Sequence, residues 1–152
     1  LPGVGVLPFP PRSGMLGAQR SSGRGRDMSA ELYSRWLHEL WGGDLEDLET
    51  TAASVVSPDF VGHWPHRMGF VRGPAQLADV IRQGRAMFDD DLVFELVVGP
   101  IVQGELVAAR WVARGHHAQR PVRFHGHDIL RRGRDEFVEY WSISETPPGV
   151  SR

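Results

Sequence analysis

The hydrophobic pattern of this 152-residue chain changes its period once, and this change constrains the fold more than any other feature of the sequence. Before residue 89, apolar residues recur at the spacing of a helix, with one wide stripe formed by Leu32, Tyr33, Trp36, Leu37, Leu40 and Trp41. After the three aspartates at 89–91, apolar and polar residues alternate as they do in strands. Helices followed by strands predict an α+β domain in which the helices cover one face of a sheet.

Three helices are predicted in the first part of the domain. The glycine pair at 42–43 ends the first helix, because glycine readily adopts the left-handed backbone of a helix end. Asp44 can cap a second, shorter helix, and Gly73 followed by Pro74 opens the third. Between the second and third helices, residues 60–65 are predicted to be extended.

Four strands are predicted in the second part, at 92–98, 105–114, 121–131 and 136–144. Their connections are expected at Gly99–Pro100, at Gly115 with the histidines that follow it, and at residues 133–135. Because no long crossover separates these strands, they should form an antiparallel meander.

The two ends of the chain differ from the domain between them. Residues 1–27 are dominated by Gly, Pro, Ser and Arg, and predict a disordered tail. The domain is expected at 28–146 and a flexible C-terminus at 147–152.

Composition excludes several kinds of chemistry. The chain has no cysteine, so disulfides, thiolate metal sites and cysteine nucleophiles are excluded, and a reducing, cytoplasmic location is expected. All 17 basic residues are arginine, which excludes a lysine Schiff base. A formal net charge of −2 argues against nucleic-acid binding, and no apolar run approaches the length of a membrane span.

The strand predicted at 121–131 places one acidic residue on an apolar face. Because side chains alternate, one face carries Val122, Phe124, Gly126, Asp128 and Leu130. A carboxylate on such a face needs a partner or a raised pKa. Asp128 is therefore either paired with an arginine or a backbone amide, or it is a pocket acid that donates a hydrogen bond.

Histidines provide two further hypotheses. His63 lies on the short extended segment at 60–65 and is a candidate general acid or base, the alternative being a hydrogen-bonded loop residue. His125 and His127 project to the same side of their strand, as metal ligands must, but Arg123 and Arg131 share that face and would repel a dication. A solvated or dimer-forming sheet face is the better interpretation, and no metal is expected.

Short sequences in a fixed order resemble the SnoaL-like polyketide cyclases, within the nuclear-transport-factor-2-like or ketosteroid-isomerase-like superfamily. They are SPDFVGHWP at 57–65, RGPAQL at 72–77, ARWVARGHH at 109–117, HDILR at 127–131 and DEFVEYW at 135–141. The resemblance implies a cone-shaped, curved antiparallel sheet, a cystatin-like roll, that is closed by N-terminal helices around a deep apolar pocket. It also implies a homodimer and no cofactor.

The resemblance further implies roles for individual residues. Asp128 matches a neutral carboxylic acid in the oxyanion site of isomerase-like members, and His63 lies near their general base. Trp36 lies about where isomerases have a tyrosine donor, and Ser142 replaces the catalytic aspartate of the cyclases. The residues expected to bind substrate are Trp36, Phe60, Trp64, Phe88, Trp111, Phe124, Tyr140 and Ser142.

The implied function is cyclisation, isomerisation or dehydration of a hydrophobic carbonyl or polyketide-like molecule by acid–base chemistry. A non-catalytic protein that binds a hydrophobic small molecule, and a structural module with a filled pocket, are the alternatives. A cavity reached by both Asp128 and His63 would favour the enzyme, and a cavity that lacks either residue would favour the binding protein.

Overall fold

The helices precede most of the sheet in the computed structural model, which describes residues 18–65, 69–147 and 149–150. Helix α1, Ala18–Ser34, continues directly into a π-helical segment, Arg35–Trp41. Helix α2 spans Leu48–Val55, and α3 spans Gly73–Arg85 with a proline in its first turn.

The predicted boundary between tail and domain, at residues 27 and 28, lies inside α1. No proline occurs between residues 12 and 57, so the helix that is anchored by the buried stripe from Leu32 can extend towards the N-terminus. Residues 1–17 lie outside the described part of the chain.

The sheet has six strands in the order β2-β1-β6-β5-β4-β3. Their bounds are Val56–His63 for β1, Val71–Arg72 for β2, Val93–Gln103 for β3, Leu106–His117 for β4, Arg120–Arg132 for β5 and Phe137–Ser144 for β6. Strands β3 to β6 form the predicted antiparallel meander. The extended segment near residue 60 is part of β1, which pairs in parallel with β6, and this long-range pairing is not evident from the sequence.

Two predicted connections are wrong. Gly99 and Pro100 lie inside β3, where the register shifts against β4, and the chain turns at Gly104 instead. His116 and His117 belong to β4, and the following turn is made by Ala118 and Gln119, which both have positive φ. In each case the strand pairing continues past the expected break, because bulges and polar strand residues are compatible with a ladder.

The core lies between the helices and one face of the sheet. On β5 the residues Val122, Phe124, Gly126, Asp128 and Leu130 are buried and the residues between them are not, so the predicted alternation is confirmed. The C-terminus is predicted to be flexible, but Pro147 and Val150 are buried and pack beside the end of β6. No helix of the described residues is long and apolar enough to cross a membrane.

Candidate functional site

A cavity of about 480 Å³ opens between the helices and the sheet. Its wall is mainly aromatic and aliphatic, and polar side chains from β5 and β6 form part of its lining. The principal lining residues are Leu37, Trp41, Trp64, Val80, Phe88, Leu92, Phe94, Trp111, Phe124, Asp128, Tyr140, Ser142, Pro147 and Val150. An apolar cavity with few polar groups is typical of a site for a hydrophobic small molecule.

Asp128 is buried in the lining of this cavity and is surrounded by hydrogen-bond donors. The Tyr140 hydroxyl donates to Oδ1 at 2.7 Å, and the Tyr33 hydroxyl donates to Oδ2 at 2.9 Å. The Trp36 indole Nε1 lies 3.3 Å from the same Oδ2, and the Trp111 indole is also within hydrogen-bonding reach. Asp128 is therefore buried, and among the described residues its partners are neutral donors and no arginine pairs with it.

Burial and the surrounding donors act on the Asp128 pKa in opposite directions. Burial raises the pKa of Asp128 above its ordinary value, and the hydrogen bonds from the indoles and phenols oppose this rise. Burial and the neighbouring carboxyl also raise the pKa of Tyr33 and Tyr140. Both phenols are therefore neutral donors at any physiological pH.

Local sequence explains how the donors reach this carboxyl. Tyr33 and Trp36 are three residues apart on α1 and its π-helical continuation, so they share a face. The Trp111 indole packs against Gly126, where a Cβ would come within 2.1 Å of the ring. Only glycine at position 126 leaves room for the Trp111 indole beside Asp128.

His63 lies away from this cavity. Phe60 and Gly62 of β1 point inward, so His63 points to the outer face of the sheet. There its Nε2 is 3.0 Å from Glu139 Oε1, and its ring stacks on Trp141 at 5.3 Å between ring centres. The expectation that His63 and Asp128 act on the same substrate is therefore not met by the geometry.

Most of the predicted substrate-binding residues do line the cavity. They are Trp64, Phe88, Trp111, Phe124, Tyr140 and Ser142. Phe60 and Trp36 are fully buried behind the wall, where their rings pack 6.2 Å apart, and Trp36 contributes through its bond to Asp128.

The histidines of the outer face have separate partners. His125 contacts the Glu145 carboxylate at 3.2 Å, and His127 accepts a hydrogen bond from Arg110 at 2.9 Å. Within residues 18–65, 69–147 and 149–150, no group of three or more His, Asp or Glu side chains is arranged to hold a metal ion.

Sequence reasoning misses Tyr33 as a site residue. The hydrophobic pattern places Tyr33 in the core stripe, although a phenol in such a stripe needs a hydrogen-bond partner. The signal available in the sequence is that Tyr33 lies three residues before Trp36, so that the two side chains share one face of the helix. The partner cannot be identified from the sequence, because Asp128 is 95 residues away.

The fold and the cavity define a class of protein: a helix-covered, curved and mostly antiparallel sheet that encloses an apolar pocket with a buried carboxyl group. The chain belongs to the SnoaL-like domain family, which matches residues 33–142. No curated protein is significantly similar to it in sequence.

Solved structures with the same fold support this assignment. A protein from Jannaschia sp. CCS1, provisionally described as a SnoaL-like polyketide cyclase, has a TM-score of 0.68 at 13% identity over 79% of this chain and 87% of its own. A loop-truncation variant of IdmH has a TM-score of 0.61 at 31% identity over 78% and 91%. A protein from Agrobacterium tumefaciens C58, provisionally described as an isomerase, has a TM-score of 0.65 at 14% identity over 79% and 99%.

Proposed function

We propose that this protein is a cyclase- or isomerase-type enzyme that transfers protons on a hydrophobic carbonyl compound, with Asp128 as the ionisable group. The observation that carries this proposal is the buried Asp128 carboxyl in the lining of an apolar cavity. The family supports it too, because similar structures are described as polyketide cyclases and an isomerase.

The chemistry follows from the environment of the carboxyl. A carboxylic acid in water is almost fully ionised at neutral pH, whereas burial raises the pKa of Asp128 towards the range in which it can both give and take a proton. An apolar site can keep a carboxylic acid neutral in this way, so that the acid can supply a proton, directly or through a neighbouring hydroxyl group, to a developing oxyanion. The aromatic wall would hold the substrate, and the polar residues around Asp128 would face its oxygen.

The proposal is tested by proton exchange on a simple bicyclic ketone. We expect the protein to accelerate exchange of the α-hydrogens of 2-tetralone with D₂O, followed by NMR, and Asp128→Asn to reduce the acceleration about 10²-fold or more. Binding of 2-tetralone, followed by tryptophan fluorescence, should change little because the aromatic wall is unaltered. Equal exchange rates for the two proteins would exclude Asp128 as the proton-transferring group.

A specific observation favours a second function, a non-catalytic carrier or sensor of a hydrophobic molecule. His63 is the expected partner of Asp128 in acid–base chemistry, and it lies on the other face of the sheet. A binding protein would bind planar apolar ligands in the same cavity and accelerate exchange on no ketone. Binding without any exchange, over a series of ketones of increasing size, would establish this function instead.

A further inference from the structure

The Asp128 oxygens have little free space for a substrate atom. Oδ1 accepts from Tyr140, Oδ2 accepts from Tyr33 and Trp36, and the Trp111 indole is within reach of the carboxylate. A carboxylate has about four lone-pair positions, so these donors fill it. Any proton exchanged with a molecule in the cavity therefore has to pass through one of the surrounding groups, and the indole N–H groups cannot accept a proton.

Ser142 is the hydroxyl that best connects this network with the cavity. It lies directly opposite Asp128 in the β5–β6 pair, so both side chains project from the same face of the sheet. Tyr140 lies two residues before Ser142 on β6 and both side chains are buried, so they share one face of the sheet, where the Tyr140 hydroxyl donates to Asp128 and lies beside the Ser142 hydroxyl. Ser142 is 9% exposed, whereas Tyr140 and Asp128 are each 2% exposed, so Ser142 is the most accessible of the three to a bound molecule.

We propose that Ser142 is the substrate-facing end of a proton relay, Ser142–Tyr140–Asp128, that recognises a hydroxyl or enol oxygen of the substrate. This inference rests on the proposed function, and it adds the atom that touches the substrate and the polar group that the substrate must carry.

The relay moves one proton without net loss of atoms. Starting from neutral Asp128, the carboxyl proton passes to Tyr140 Oη, the Tyr140 proton passes to Ser142 Oγ, and the Ser142 proton passes to the carbonyl oxygen of the ketone. A solvent water takes the α-hydrogen, so the substrate becomes an enol and Asp128 a carboxylate. The reverse sequence returns the enol proton to Asp128 while a solvent proton adds to the α-carbon, so Ser142 and Tyr140 end each cycle unchanged.

Ligand binding tests the Ser142 contact independently of catalysis. The probes are 2-naphthol and naphthalene, which have the same ring system and differ by one hydroxyl. Loss of one hydrogen bond should make Ser142→Ala bind 2-naphthol about 3- to 10-fold more weakly, with naphthalene binding unchanged. Ser29→Ala, which removes a buried serine hydroxyl outside the cavity, is the matched control and should bind both probes as the parent does. Equal preference for 2-naphthol in the parent and in Ser142→Ala would overturn the proposal.

Exchange of 2-tetralone with D₂O tests the relay itself. Ser142→Ala and Tyr140→Phe should each slow exchange about tenfold or more, and Ser142→Thr should retain most of the rate. Because both residues act on one path, the double variant should be no slower than the slower single variant. The relay would be overturned if the rate losses of the two single variants multiplied in the double variant, or if Ser142→Ala lost no rate. Either result would leave catalysis by Asp128 intact. If the parent protein itself catalyses no exchange, the proposed function and the relay both fail, and the naphthol result stands alone.

Discussion

At the scale of single residues, Asp128 combines two opposing properties. Its side chain is removed from water, which penalises the charged form, and it is surrounded by neutral donors, which favour that form. No arginine in the part of the chain that the structure describes pairs with it, although all 17 basic residues of the chain are arginine. The protein therefore holds a carboxyl whose protonation is controlled by burial and hydrogen bonding rather than by an opposite charge.

The raised pKa of Asp128 predicts how stability depends on pH. The folded protein binds this proton more tightly than the unfolded chain, whose pKa is near 3.8. The stabilisation that the folded protein gains from holding the Asp128 proton is therefore fully present below pH 3.8. It is lost as the pH rises through the folded-state pKa of Asp128. Relative to Asp128→Asn, the parent should lose at most about 1.4 kcal/mol of unfolding free energy per pH unit in this window.

Urea unfolding of both proteins between pH 4 and about pH 8 measures this difference. Glu139 and Glu145 have lowered pKa values, so their contributions are lost as the pH falls, but they are common to both proteins and cancel. A free-energy difference that is constant over the whole range would show that Asp128 does not titrate differently on folding.

His63 provides the complementary prediction. Because it contacts Glu139 and Trp141 on the outer face, His63→Ala should leave ligand binding and ketone exchange within about twofold of the parent. Loss of the partly exposed contact with Glu139 should reduce the unfolding free energy by about 1 kcal/mol or less. A well-folded His63→Ala protein that no longer catalyses exchange would show that His63 takes part in catalysis.

At the scale of elements, the cavity wall depends on two glycines that lie under tryptophan rings. Trp64 folds back over Gly62 of β1, where a Cβ would come within 2.4 Å of the ring. Trp111 of β4 packs in the same way against Gly126 of β5. A large residue thus lies over a small one in each case, and the missing side chain at each glycine leaves the space that the indole ring occupies.

Gly126→Ala tests this packing. The added methyl group must displace the Trp111 ring, and we expect a loss of about 1–3 kcal/mol of unfolding free energy together with weaker ligand binding. The double variant Gly126→Ala with Trp111→Leu should recover part of the stability, because the clash is removed. Gly84→Ala, where a Cβ meets nothing within 4 Å, is the matched control and should be neutral or slightly stabilising. Equal stability of both glycine variants would contradict the packing argument.

The sequence predicts where helices and strands lie better than it predicts which side chains of a strand point inward and which distant strands pair. Burial of Asp128 is predictable, because the residues of β5 around it alternate without interruption. His63 is assigned to the site because the resemblance places it near the general base of isomerase-like members, but only the pairing of β1 with β6 fixes which side chains of this segment point inward. The donors around Asp128 come from the first helical segment and from β4 and β6, so no local pattern could indicate them.

At the scale of the whole molecule, the outer face of the sheet exposes several large apolar side chains. Ile129 is 47% exposed and has Ala108 and Trp141 as strand neighbours, with Ile101 beyond Ala108. Val98 and Ile143 extend this surface across β3 and β6. Arg123, His125, His127 and Arg131 lie on the same face of β5, and Arg110 of β4 bonds to His127, so polar groups lie among the apolar ones. Exposed apolar surfaces of this kind mark interaction sites more often than free surface.

We propose that two chains pair through this face in a two-fold, self-complementary homodimer. A stable interface needs about 800 Å² from each partner, an area that requires the exposed side chains of several strands together. Sedimentation equilibrium at micromolar concentration should therefore give twice the chain mass of 17.0 kDa.

Ile129→Glu places a charge in the centre of the face and should give a monomer with unchanged circular dichroism. Ala75→Glu adds the same charge to an exposed position of α3 and should remain dimeric. A parent protein that sediments as a single 17.0 kDa species would refute the pairing, and a dimer that survives Ile129→Glu would assign it to another surface.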